Sequence, residues 1–334
     1  MQADQLDRRR AERARARQRR KARRRVGAVL ALVAVIVAIP VIVVLASSSS
    51  SSPSDHGTVR QAAVRGHAHR HAAALSHHAR GGSTAAALGA ATGTPGRAAV
   101  PVLMYHVIAP PPTGAPFPGL YVPAPEFAQQ MQALKAAGWT AVTLDQLRAN
   151  WMHGAKLPPG KPIVLTFDNG YHSQYANALP VLKRMGWVAD ENIQLSGLPP
   201  SQGGLTPAEV RAMVNSGWEL DTQGISHADL ISLDASQLHY QVTTARQLLQ
   251  RRYGVPVNWF CYPSGHYNAT VISAVRAAGF VGSTTVVPGW ASPSSDPYTL
   301  PRLRVLGGTS GPALLAQIAG TRTASAPPSS YGGT

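Results

Sequence analysis

The run Pro162-Ile163-Val164-Leu165-Thr166-Phe167-Asp168-Asn169-Gly170 brings a carboxylate to the end of an apolar segment and then turns. An apolar stretch of this length followed by an Asn-Gly breaker predicts a buried strand ending at Asp168. A carboxylate in that place is aimed into a cleft, where it can exchange a proton; its other role would be to cap a helix starting near His172. Three more segments carry polar groups at the ends of strand-like runs: Tyr105-His106, Gln223 with His227, and Tyr262-Pro263-Ser264-Gly265. In a parallel sheet all four would converge on one mouth, although singly each also reads as core packing or a turn. Alternation along a strand puts Asp221 on the same side as Gln223.

The elements that must position these residues follow Val100. Strand-like runs cover 101–108, 140–144, 162–167, 218–222, 258–262, 282–287 and 303–306. Helical periodicity fills 124–137, 173–185, 207–216, 235–252, 269–278 and 311–319. Thr206 before Pro207 is a helix start, with a capping hydroxyl and a proline where no N–H is needed. Gly138, Gly186, Gly217 and Gly279 fall just past helices, where a left-handed cap favours glycine. The alternation predicts an α/β fold, an irregular (β/α) barrel of about seven units, with an open doubly wound sheet as the alternative. Neither glycine-rich phosphate fingerprint is present, which counts against a nucleotide site.

The first hundred residues are of another kind. Residues 1–25 hold twelve Arg or Lys against three acids, contributing +9 of the chain's net +16. An uncharged segment of 21 residues, 26–46, follows directly. As a helix it would cover roughly 30 Å, the thickness of a bilayer core. This arrangement predicts a basic cytoplasmic tail, a single-pass anchor retained in preference to a cleaved signal peptide, and a folded domain outside the bacterial plasma membrane. It turns the basic block away from nucleic acid. Residues 47–98 are rich in Ser, Ala, Gly and His and read as a flexible linker whose His67, His69, His71, His77 and His78 are solvated rather than ligating. Residues 99–320 form the folded domain and 321–334 a disordered tail. Cys261 is the only cysteine, so no intrachain disulfide forms.

Val100-Pro101-Val102-Leu103-Met104-Tyr105-His106, Leu165-Thr166-Phe167-Asp168-Asn169-Gly170-Tyr171, Ser226-His227-Ala228-Asp229-Leu230 and Phe260-Cys261-Tyr262-Pro263-Ser264-Gly265 occur in that order, followed by Leu300-Pro301-Arg302-Leu303-Arg304-Val305. Together they resemble the polysaccharide deacetylase family, the NodB-type family 4 carbohydrate esterases. The resemblance implies an irregular (β/α) barrel that removes acetyl groups from N-acetylated sugars of cell-envelope polysaccharide. It also implies a divalent metal, zinc, held by one Asp and two His, which lowers the pKa of a bound water.

Carried onto this chain, the resemblance makes Asp168 the general base. It puts Asn169 at the metal-binding aspartate and Gln223 at the first metal-binding histidine, with His227 at the second. No histidine follows His266 to serve as the late acid. An amide oxygen brings no charge and is a poorer zinc ligand than imidazole, so the metal is expected to be weakly bound or absent. Asp221 is the foremost substitute ligand, with Asp229, His172 and His266 as others. Trp290, in a polar loop, is the expected sugar platform, with Tyr171, Tyr262 and the Pro263-Ser264-Gly265 turn also facing substrate. The alternative to a hydrolase is a glycan-binding module of the same fold that has lost its metal.

Overall fold

The computed structural model describes residues 93–196, 198 and 203–322. The basic tail, the segment 26–46 and the linker up to residue 92 lie outside them, as do residues 323–334. Among the described residues no helix is long and apolar enough to cross a membrane.

The chain alternates strand and helix from Val100 onward. Strand β1 (Val100–Tyr105) leads to α1 (Ala124–Ala136), β2 (Trp139–Val142), α2 (Leu144–His153) and β3 (Lys161–Asn169). Then come α3 (Leu179–Met185), β4 (Asp190–Ile193), α4 (Pro207–Asn215) and β5 (Glu219–Thr222). Helices α5 (Ala235–His239) and α6 (Ala245–Tyr253) precede β6 (Trp259–Cys261), and α7 (Ala269–Ala277) precedes β7 (Gly282–Thr284). Two short strands, β8 (Trp290–Ala291) and β9 (Leu303–Arg304), and α8 (Gly311–Thr321) complete the order.

These strands make one curved sheet in the order β7-β6-β5-β4-β3-β1-β8, with β2 against β3 and β9 against β1. Every pairing is parallel except β1 with β8. The result is a parallel-strand α/β half-barrel, consistent with the irregular (β/α) barrel that the alternation predicts. Residues 300–305 tie its two ends: Thr285 N–H donates to Leu300 O (2.9 Å) and Val305 N–H donates to Met104 O (3.1 Å).

Strand period two decides which side chains face outward and which line the concave face. On β3, Leu165 and Phe167 face the helices, and Phe167 packs against Tyr105, Phe127 and Trp218. The alternate residues Thr166 and Asp168 face the concavity.

Two elements depart from the sequence reading. Strand β4 was not expected, because Asp190-Glu191-Asn192 is too polar to resemble a buried strand, yet all three are buried. The helix α2 is also additional; Thr143 caps it in a reciprocal box with Gln146. The expected continuous helices over 173–185 and 235–252 are each interrupted by a π-helical turn, at Gln174–Ala178 and Tyr240–Thr244. The first turn points Gln174 back under β3, where its Nε2 donates to Asp168 O and His106 O at 2.8 Å each.

Candidate active site

Asp168 ends β3 at the carboxyl end of the sheet, on the concave face and only 1 % exposed. Burying a carboxylate there would be strongly unfavourable without a partner, and Arg302 supplies one. Its Nη1 donates to Asp168 Oδ1 at 2.7 Å and its Nη2 to Oδ2 at 2.9 Å, the bidentate fork of a strong pair. Its remaining donors reach Thr166 Oγ1 (2.9 Å), Cys261 Sγ (3.1 Å) and Thr285 O (2.8 Å), so all five guanidinium N–H groups are used. Asn192 Nδ2 adds a bond to Asp168 Oδ1 at 2.9 Å, and the Cys261 thiol lies 3.6 Å from Oδ2. Burial alone would raise the Asp168 pKa. The adjacent Arg302 charge and its hydrogen bonds outweigh burial and bring it down to about 2. Burial pushes the Cys261 thiol up to about 12, so it stays protonated.

Two histidines face this carboxylate. His106 Nε2 lies 3.9 Å from Asp168 Oδ2, and its Nδ1 is buried without a hydrogen-bond partner. Burial lowers its pKa to about 4 despite the attraction of Asp168, so the ring is neutral near pH 7 and the contact is not an ion pair there. Half-buried His227 is likewise lowered by burial, against the pull of Asp168.

Backbone strain concentrates at the same rim. Asn169 (φ 80°), His227 (φ 53°) and Ser264 (φ 54°) are the non-glycine residues with left-handed backbone among those described. They sit at or just beyond the carboxyl ends of β3, β5 and β6. Such conformations cost about 1–3 kcal/mol each and persist where the surrounding structure imposes them, commonly at functional sites. Gly170 and Gly265 need glycine beside this rim: a Cβ would lie 2.8 Å from Ile193 and 2.3 Å from Val286 respectively.

Of the residues singled out in the sequence, Asp168, Asn169, Gln223 and His227 meet at this mouth, and Tyr171 and Ser264 border it. Asn169 Nδ2 donates to Gln194 Oε1 at 3.0 Å, and Gln223 Nε2 to Cys261 Sγ at 3.2 Å. Four expectations change. Asp221 does not replace the ligand at Gln223; two residues earlier on the strand it lies a layer deeper, grouped with Asp190 and Glu219. His172 pairs with Glu209 at 2.9 Å and His266 with Asp229 at 3.1 Å, so neither turns toward Asp168. Tyr262 faces outward, because Cys261 before it faces inward; it stacks on Tyr267, and its hydroxyl donates to Tyr298 O at 2.9 Å. Trp290 lies at the opposite end of the sheet, beside Pro101 at the start of β1. It packs edge-on to Trp139 with its Nε1 donating to Ile318 O, and so is no platform at this mouth.

His106 is at the mouth as its place at a strand end predicts, though without an assigned role, whereas Arg302, Asn192 and Cys261 were not expected at the site. The signal for Arg302 was slight: it stands between Pro301 and Leu303, directly before a strand-like run, where an arginine that becomes buried requires a partner. Asn192 gave none, being in a strand that was not recognised.

Comparison with known proteins places this arrangement. A polysaccharide deacetylase family model matches residues 155–283. YxkH of Bacillus subtilis (strain 168), described as a polysaccharide deacetylase, is 31% identical over 222 residues, 66% of this chain and 76% of that protein. The chain belongs to the polysaccharide deacetylase family. Members of this family are hydrolases that act on the amide C–N bond of N-acetylated sugars, typically with a metal. The deacetylase PplD of Streptococcus pyogenes, solved in complex with acetate, is 27% identical with a TM-score of 0.60, covering 67% of this chain and 99% of that one. A local likeness, 38% identity over 61 residues, links 18% of this chain to 9% of a poly-β-1,6-N-acetyl-D-glucosamine N-deacetylase of Escherichia coli (strain K12).

A deacetylase metal at this mouth would have one imidazole and two neutral amides as ligands: His227, Asn169 and Gln223. Both amides donate through their nitrogens, and Gln223 Oε1 is buried without a partner, but an amide oxygen brings no charge, and the one carboxylate nearby, Asp168, is saturated by Arg302. Among the described residues, one group of three acidic, His or Cys side chains has ligand atoms within 4.8 Å of one another. It is Asp190, Glu219 and Asp221, away from the mouth. The mouth of this deacetylase does not fit a tightly held zinc ion.

Proposed function

We propose that this deacetylase acts on N-acetylated sugars of a cell-envelope polysaccharide, at the mouth around Asp168, while tethered to the plasma membrane through residues 26–46. The observation that carries the reading is the set of three left-handed non-glycine residues, Asn169, His227 and Ser264, around one buried, ionised carboxylate. Strain of this kind at three separate loops is hard to account for by folding alone. The likeness to the E. coli N-deacetylase supports an N-acetylglucosamine polymer as the substrate class.

In this reading Asp168 is charged throughout the physiological range and, with its oxygens held by Arg302, Asn192 and Cys261, acts on the attacking water through its charge and through the neighbouring His106. Its pairing with Arg302 makes it a weak base. The neutral ring of His106, 3.9 Å from Oδ2, is placed to accept the proton through that water. Tyr171, Ser264 and the exposed edge of His227 border the space left for the sugar.

Acetate release from N-acetylated chitooligosaccharide and peptidoglycan by the purified full chain tests the proposal. His106→Gln should lower the rate at least a hundredfold, in line with loss of a general base, and Asp168→Asn should lower it too by removing the charge that faces His106; an unchanged rate in both would remove the pair from the chemistry. A second reading, a glycan-binding module without hydrolysis, draws on the uncharged amides of Asn169 and Gln223 at positions where a metal needs stronger ligands. It would be supported if wild-type protein with added zinc or cobalt released no acetate but still bound the glycan. For the tether, the mass of the membrane-extracted chain decides: a mature protein beginning at Ser47 would refute it.

A further inference from the structure

The concave face carries a second polar centre at the amino end of the sheet, opposite the mouth. Asp190 begins β4, Glu219 begins β5, and Asp221 lies two residues further along β5. The register sets Asp190 beside Glu219 and Asn192 beside Asp221. Alternation therefore turns Asp190, Glu219 and Asp221 toward the same interior.

Each carboxylate is held in the same manner. Leu144 N–H donates to Asp190 Oδ1 at 2.8 Å, Asp145 N–H to Glu219 Oε2 at 3.0 Å, and Trp259 N–H to Asp221 Oδ1 at 2.9 Å. Two of these donors are the first N–H groups of α2, whose positive end faces the cluster. The second oxygen of each residue, Asp190 Oδ2, Glu219 Oε1 and Asp221 Oδ2, is buried with no N–H or hydroxyl donor, and the Asp190 and Glu219 carboxyls lie within hydrogen-bond reach of each other, a contact that only a shared proton or a cation can make favourable. Asp190 and Asp221 are themselves fully buried, at 0 % exposure. Asn192, the cross-strand neighbour of Asp221, is also fully buried, and its Oδ1 has no partner. One face of the sheet thus holds four orphaned oxygens. Unsatisfied carboxylate oxygens in the interior are strongly disfavoured unless a proton or a cation lies among them. The charges bearing most on these groups are those of other carboxylates, Asp145 included. Glu219 is the half-buried member of the three and the one nearest the surface, although its Oε1 is itself buried.

We propose that Asp190, Glu219 and Asp221 form a structural site for a hard, oxygen-preferring divalent cation of the Mn2+, Mg2+ or Ca2+ class, at the amino end of the half-barrel and separate from the mouth. Three carboxylates with no sulfur or imidazole among them match that class in preference to zinc. The ion joins β4 to β5, and through Leu144 and Trp259 it braces α2 and β6. It serves stability and not the hydrolysis, so it leaves open whether the mouth holds metal.

The test is made on the purified full chain, stripped with EDTA and then given Mn2+, Mg2+, Ca2+ or Zn2+ singly. Thermal unfolding is followed throughout, and Mn2+ binding is measured by electron paramagnetic resonance. Mn2+ should bind at one site per chain and raise the melting temperature. Glu219→Gln, a mild change at the half-buried ligand, should weaken Mn2+ binding tenfold or more. His227→Ala at the mouth should leave it unchanged. Loss of Mn2+ binding in His227→Ala with full binding in Glu219→Gln would place the ion at the mouth and overturn the proposal. No bound Mn2+ in the wild-type protein at millimolar concentration would also overturn it, and would mean that protons neutralise the cluster.

Discussion

The half-barrel interior solves the problem of buried carboxylates in two ways. At the mouth, Asp168 receives a built-in cation, and Arg302 gives both its oxygens a donor at 2.7–2.9 Å. At the opposite end, Asp190, Glu219 and Asp221 receive one backbone N–H each and leave a second oxygen bare. The first carboxylate is held well below its ordinary pKa, whereas burial and mutual repulsion raise the other three. Residue type therefore does not tell what a buried acid does. The geometry of its second oxygen is more informative: Asp168 is locked and charged, and the deeper cluster is open to an added positive species.

The contrast breaks first at Arg302. Replacing it with Met strands the Asp168 charge, and a loss of about 3–5 kcal/mol in urea unfolding is expected, as for other broken buried pairs. If Asp168→Leu added to Arg302→Met recovers much of that loss, the charge and not packing is responsible; no recovery would argue for packing.

At the other end the sign should reverse. In EDTA at pH 7, Asp190→Asn retains the oxygen that faces Leu144 N–H and removes repulsion, so it should stabilise by about 1 kcal/mol or more in chemical denaturation. Destabilisation there would show that the cluster is already satisfied.

Stability against pH sharpens the same comparison. The Asp168 pKa falls from 3.8 to about 2 on folding, so its contribution is complete above 3.8 and disappears as pH falls toward 2. The pKa of His106 falls from 6.5 to about 4, so stability is lost as pH drops through that interval, and His106→Gln should flatten this limb. The raised acids at the amino end act oppositely: they favour the fold below their ordinary pKa values, and that benefit is lost as pH rises. Saturating Mn2+ without EDTA should remove this alkaline decline, and Glu219→Gln in EDTA should reduce it, measured by melting between pH 5 and 8.

The smallest effect belongs to the helix that supports the cluster. Thr143→Ala removes the cap of α2 and should cost about 1 kcal/mol in denaturation. The loss should be partly masked when Mn2+ is bound.

Much of the fold was legible because seven parallel strands and the helices between them obey periodicity, and because their ends carry glycine and capping residues. Asp168, Asn169, Gln223 and His227 were legible as a set because each follows a strand-like run. What escaped is physically coherent. Strand β4 was hidden because its inward residues Asp190 and Asn192 are polar, and their stability comes from partners distant in sequence. Trp290 misled because polar neighbours suggested exposure, whereas Trp139 and Ile318 O, from other elements, cover it. Periodicity reports which face of an element is apolar and nothing about which distant residue will meet a buried charge.

The clasp formed by Arg302 also bears on the order in which the chain can be assembled. Asp168 and Arg302 are separated by 134 residues. Synthesised from the amino end, the strands through β7 emerge before residues 300–305 exist to close them, and until then Asp168 and Cys261 face the interior without their guanidinium. Contacts of such sequence separation form late and slowly. A chain truncated before Leu300 should therefore remain an open, association-prone sheet, with the Asp168 carboxylate buried and lacking its counter-charge.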